Sequence, residues 1–158
     1  MSDGCDIVTT FLNKNKHIIQ GLEKKSESPF TGDLIKKYFT LEKTSISGRL
    51  EYRITDYSYC PAWVFVEIIS YGELISFYNH YYGDNAPIKK NLLHLVKSLR
   101  NGTAHNNCFL ADLTRNRSKP PREIKEVVKA IEGISTSQRL SNLSTRPTLE
   151  FTTMLYVY

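Results

Sequence analysis

The chain of 158 residues lacks a cysteine framework. Its three cysteines, Cys5, Cys60 and Cys108, are odd in number, far apart and form no Cys-x-x-Cys pair. That spacing argues against a disulfide scaffold or a structural zinc site and fits a reducing, cytoplasmic setting. Long apolar runs are missing as well. The best one, residues 62–69, is interrupted by Glu67 and is far too short to cross a bilayer, so no membrane association is expected. The first residues are polar and acidic, without the basic-then-apolar order of a secretory signal. There is no Gly-x-Ser-x-Gly, no phosphate-cradling glycine loop, no His-Glu-x-x-His and no carboxylate cluster suited to magnesium. No metal and no cofactor is therefore expected.

What is present is ordinary globular composition, 41% hydrophobic and 23% charged, in a length that suits one domain spanning residues 1–158. Ten tyrosines outnumber seven phenylalanines, which favours half-buried positions where the ring packs and the hydroxyl stays wet. The net charge of +5 and a pI near 9.1 favour polyanions such as nucleic acid.

Hydrophobic spacing predicts a mainly helical chain. Residues 7–25 carry Ile7, Val8, Phe11, Leu12, Ile18, Ile19 and Leu22 at near-helical steps, with a polar gap over residues 13–16. A short helix is expected over residues 31–39, and residues 44–56, rich in Ser and Thr, read as a connection with a short strand near 50–54. The strongest periodicity predicts one long helix over residues 61–82, opened by Pro61, and a second over 87–105 with Leu92, Leu95, Val96, Leu99 and Thr103 as its apolar stripe. Glu67 and Glu73 then share the first long helix and lack an evident catalytic partner. A basic loop over residues 114–122, a helix over 121–131 ending at Gly133, and a helical tail over 137–158 interrupted by Pro147 complete the reading. The expected architecture is a helical bundle around two long antiparallel helices.

Chemistry concentrates in Arg100-Asn101-Gly102-Thr103-Ala104-His105. An Arg followed by a His at this distance is weak by itself, because eight arginines and four histidines make one such pair unsurprising. Its place at the end of a strongly periodic helix adds weight. Asn101 and His105 are one turn apart, whereas Arg100 stands about 140° around the helix from His105. One subunit thus offers a divergent pair, and two copies about a two-fold axis can converge on one phosphate. Histidine titrates near neutrality and can take a proton from a ribose 2′-hydroxyl. Arginine stays charged and presents a planar fork to phosphate oxygens. From spacing alone a purely structural role is favoured: Arg100 and Asn101 at a helix C-terminus, Gly102 as the stop signal and His105 on the surface. Arg115, Arg117, Lys119 and Arg122 in the basic loop, with Lys97 and Asn106 beside the motif, are the candidate RNA contacts. His80, within Tyr78-Asn79-His80-Tyr81-Tyr82, suits either an RNA-facing aromatic patch or half-buried bundle surface. His94 reads as a boundary residue.

Two blocks carry a family resemblance. Pro61-Ala62-Trp63-Val64-Phe65-Val66-Glu67-Ile68-Ile69-Ser70-Tyr71-Gly72-Glu73-Leu74-Ile75-Ser76-Phe77-Tyr78 is similar to the P-x-W-x-x-x-E-x-x-S-F-G-x-L-S-x-x-Y signature of Abi-like proteins, the AbiD/AbiF-type abortive-infection proteins of phage defence. Leu99-Arg100-Asn101-Gly102-Thr103-Ala104-His105-Asn106 resembles that family's L-R-N-x-x-A-H-H/N element, with Asn106 in place of the more frequent second histidine. A weaker likeness follows at residues 138–142, and residues 1–43 resemble nothing specific. The resemblance implies an all-α, HEPN-like bundle with a core over about residues 57–145, working as a homodimer. It also implies a metal-independent endoribonuclease site at the dimer cleft, with Arg100, Asn101 and His105 at the motif positions, leaving a 2′,3′-cyclic phosphate and a 5′-hydroxyl. RNA is the implied partner, with an inhibitor or guide RNA as a further one. The alternative is a non-catalytic RNA- or protein-binding HEPN module. Because the family's members are usually longer, the chain is expected to be a short variant or a fragment.

Overall fold

The structure, a computed structural model, describes residues 3–46, 49–105, 113–114 and 119–158. Asn106, Arg115 and Arg117, named above as RNA contacts, lie outside the described residues, as does Cys108. The fold is mostly helical, with one two-stranded sheet. The chain divides into two compact units, Met1–Asp84 and Asn85–Tyr158.

The first unit begins with α1 (Cys5–Lys14) and α2 (Lys16–Lys25). The polar gap in the sequence marks the break between them. Asn15 leaves helical geometry at φ −128°, ψ 58°, and its side-chain amide donates to the Phe11 carbonyl (2.9 Å) that a continuing helix would have used. After α3 (Gly32–Tyr38) comes an antiparallel hairpin, β1 (Thr40–Ile46) and β2 (Arg49–Asp56), with Glu42 opposite Arg53 and Lys43 opposite Tyr52. The short strand expected near 50–54 is β2, and the rest of the connection expected over residues 44–56 is mostly strand as well. At the hairpin's base Leu41 pairs with the buried Ile54, and the next two pairs are opposite-charge and cation–aromatic, so hydrophobic alternation is short. The Ile54 N–H donates to Glu23 Oε1 (2.9 Å) and ties β2 to α2.

The long helix predicted over residues 61–82 is two helices, α4 (Ala62–Ile68) and α5 (Tyr71–Tyr82). Ile69 and Ser70 are extended, both with ψ 159°. The cause is local. Ser70 Oγ accepts the Glu73 N–H (3.3 Å) while the Glu73 carboxylate accepts the Ser70 N–H (2.6 Å), a reciprocal cap that starts a new helix. Lys25 Nζ donates to the freed Ile68 carbonyl (3.1 Å). The bundle built on two long helices is corrected accordingly, and Glu67 and Glu73 sit on different helices. The unit's core gathers Phe11, Phe65 and Phe77, whose rings meet edge-on with centroids 4.9–5.8 Å apart.

The second unit holds α6 (Lys90–Ala104), α7 (Arg122–Lys129), α8 (Thr136–Leu143) and α9 (Arg146–Val157). Its core is aliphatic: Leu92 from α6, Ile124 and Val128 from α7, Leu143 from α8 and Leu149 from α9. Arg146 pins α9 to α6. Its guanidinium donates to Ser98 Oγ and, through Nε, to the buried Glu150 carboxylate (2.7 Å). Pro147 occupies the first turn of α9, where its missing N–H costs nothing, so it opens the helix it was expected to interrupt.

Candidate nucleic-acid site

The α6 helix owes its position to its apolar stripe. Leu92 and Leu99 are buried and Leu95 packs beside them, leaving the opposite side to solvent. The helix runs through Gly102 to Ala104, so Gly102 is not the stop signal. His105 is the C-cap residue at φ −98°, ψ 13°, and its N–H donates to the Asn101 carbonyl (3.1 Å). Thr103 Oγ1 donates to the Arg100 carbonyl (2.7 Å) and approaches that of Leu99 (3.3 Å), so its hydroxyl bonds back onto its own helix.

This end presents the motif. Arg100 and His105 are exposed, and Asn101 is half-buried. Arg100 Nη1 donates to Asn101 Oδ1 (3.3 Å), so the guanidinium and the amide are already neighbours. Lys97 lies one turn before Asn101 and is half-buried. The structure thus brings Lys97, Arg100, Asn101 and His105 together on the last two turns of one helix. A cation here also suits the helix dipole, so the local geometry accommodates both the structural and the chemical reading.

Lys119 and Arg122 are placed elsewhere. Lys89, immediately before α6, pairs with Glu123, immediately after Arg122, and the Lys89 ammonium holds the Glu123 carboxyl below its ordinary range. The start of α7 is therefore moored at the end of α6 away from His105. The 15 residues of α6 span about 22 Å at 1.5 Å per residue. Lys119 and Arg122, both exposed, cannot share one phosphate with His105.

The other candidates fill structural roles. His80 packs its ring on Phe11 (centroids 5.3 Å) and is half-buried, with Nε2 enclosed; burial first, then nearby Lys14, holds its pKa below the usual histidine value. Cys60 is sealed in the core and burial pushes its thiol up to about 12, which removes it as a nucleophile. Of the signature residues, Pro61 is buried, while Trp63 is 58% exposed and leans edge-on against Tyr38 (5.8 Å). Among the described residues, no group of three or more His, Cys, Asp or Glu could hold a metal ion, and no helix is long and apolar enough to cross a membrane.

Charge separates the two units more sharply than the total suggests. Residues 85–158 carry twelve Lys and Arg against five Asp and Glu, a net +7, whereas residues 1–84 carry nine against eleven, a net −2. All of the chain's positive excess belongs to the unit that holds the motif.

Comparison with known sequences places a profile described as Abi-like protein on residues 6–111. That span takes in most of residues 1–43, which by themselves resemble nothing specific, and it stops before residues 138–142. No curated protein and no solved structure matches the chain.

Proposed function

Because the chain belongs to the Abi-like protein family, we propose that it is an abortive-infection effector with a HEPN-type site that binds RNA and cuts it without a metal ion. The observation that carries this reading is the exposed Arg100–His105 pair on the closing turn of α6, in a unit of net charge +7. His105 takes the proton of a ribose 2′-hydroxyl, and the 2′-oxygen attacks the adjacent phosphorus. The bond from phosphorus to the 5′-oxygen breaks, leaving a 2′,3′-cyclic phosphate. The leaving oxygen takes its proton from a second histidine. Arg100 steadies the charge on the non-bridging oxygens, and Asn101 holds the guanidinium toward them.

Arg100 and His105 diverge on their helix, so the second histidine comes from a twin subunit across a two-fold axis. The working species is a homodimer. The test is cleavage of an unstructured RNA by the purified chain in excess chelator. Cyclic-phosphate ends should form, and His105→Ala should slow cleavage by about 10²–10⁴-fold while RNA binding persists. A wild-type protein that binds RNA and never cuts it would replace this reading with a non-catalytic RNA-binding module.

A further inference from the structure

Four polar side chains of α6 and its C-cap residue fall on one line opposite the apolar stripe. Lys90, His94, Lys97, Asn101 and His105 follow one another at steps of four, three, four and four residues. At 100° per residue they stay within about 40° of a common line and run for about 22 Å. Lys90, His94 and His105 are exposed, and Lys97 and Asn101 are half-buried.

No acid is built into this row. Three other cations of the unit do meet acids, Lys89 with Glu123, Lys129 with Glu126 and Arg146 with Glu150, while Lys119, Arg122 and Lys125 share the row's lack of an ion-pair partner among the described residues. No Asp or Glu occurs anywhere in α6, and among the described residues Lys90, His94 and Lys97 have no ion-pair or side-chain hydrogen-bond partner. Lys90 also stands in the first turn, where the helix dipole disfavours a cation and the backbone N–H groups face outward. The fold gains nothing from that arrangement, whereas a phosphate at the same place meets both the ammonium and the N–H groups. Lys119 and Arg122 cluster at this same end through the Lys89–Glu123 pair.

We infer that the solvent face of α6 is a track for the backbone of single-stranded RNA, entering at Lys90 and delivering its scissile phosphate to His105. The inference rests on the RNA-cleaving reading above and deepens it by naming the substrate class. A single file of cations follows one strand, while readers of an RNA duplex span two successive minor grooves. The helix carries no Phe, Tyr or Trp, so the track reads phosphates and not base identity. His94 contributes the one ring along it, suited to stacking or to donating to a phosphate oxygen.

The test compares two variants of the full chain. Lys90→Ala/Lys97→Ala removes two cations from the row, and Lys125→Ala/Lys129→Ala removes two exposed cations from α7. Both lose the same net charge, and alanine keeps the helices. Binding of an unstructured oligouridylate is measured in the His105→Ala background between about 50 and 200 mM salt. The row variant should bind at least about tenfold more weakly and flatten the log–log salt dependence by about 1.4, the share of two phosphates on a single strand. The α7 variant should leave the slope nearly unchanged. With His105 restored, the row variant should cut the long RNA more slowly, and the α7 variant should cut it at the wild-type rate.

Equal effects from the two variants, or preferential binding of duplex RNA, would overturn the track. A wild type that binds with the expected row dependence but cuts nothing sinks the nuclease reading and leaves the track standing. A wild type that does not bind RNA sinks both.

Discussion

Residues 1–84 bury aromatic side chains, while residues 85–158 bury, among the described residues, aliphatic and a few polar ones but no aromatic. In the first unit Phe11, Phe65 and Phe77 interlock at the centre and the surface charge nearly cancels. In the second, small apolar groups from four helices meet around Leu92 and Leu149, and seven positive charges remain in excess. Stability and recognition are thus weighted differently. The first unit has the packing area to hold itself together with a nearly neutral surface. The second must hold a smaller core against its own like-charge repulsion, a burden that a polyanion would relieve.

The comparison can be broken at its cores first. Phe65→Ala, at a site with no exposure, should cost about 3–5 kcal/mol in denaturant unfolding, whereas Leu149→Ala in the second unit should cost about 3 kcal/mol. A larger loss from Leu149→Ala would reverse the assignment of where stability lies. Next in size is the break between α4 and α5. Ser70→Ala removes the cap that starts α5 and should lower stability by about 1 kcal/mol. No change at all would mean that packing alone sets the break.

The smallest effect is a separation in pH. His80 has its pKa held below the ordinary 6.5, so below that pH the unfolded chain takes up the proton more readily. Stability from this group is complete above pH 6.5 and falls as the pH drops into the folded-state value. In the second unit, Glu123 and Glu126 have their carboxyls held below the ordinary 4.5, chiefly by hydrogen bonds from Lys89 and Lys129. Their contribution is complete above pH 4.5 and declines only below it. Melting temperature against pH should show both declines, and His80→Gln should remove the one nearer neutrality alone. A variant with the wild-type profile in that range would take His80 out of the account.

The helices over residues 90–104 and 122–129 were legible because their apolar residues recur at helical steps and no competing signal interrupts them. Of the hairpin only the second strand was legible, near residues 50–54, since most of β1 is charged and polar and looks like loop composition. The Ser70-x-x-Glu73 cap was written in the sequence, yet the apolar periodicity runs straight through it and reads as one helix. In the site, Lys97, Arg100, Asn101 and His105 could be grouped from spacing alone because they share one helix. The row's first members were passed over because His94 sits among leucines and Lys90 precedes the stripe.

The sequence by itself determined what local rules can carry: the family, the helix that bears Arg100 and His105, and the excess of positive charge in the second half. Each follows from residues close together in the chain or from simple counts. Only the tertiary structure decided where separate segments meet. The Lys89–Glu123 pair sends Lys119 and Arg122 to the far end of α6, and Arg146 clamps α9 against it. Those facts depend on contacts between residues distant in sequence, whose geometry no local periodicity encodes.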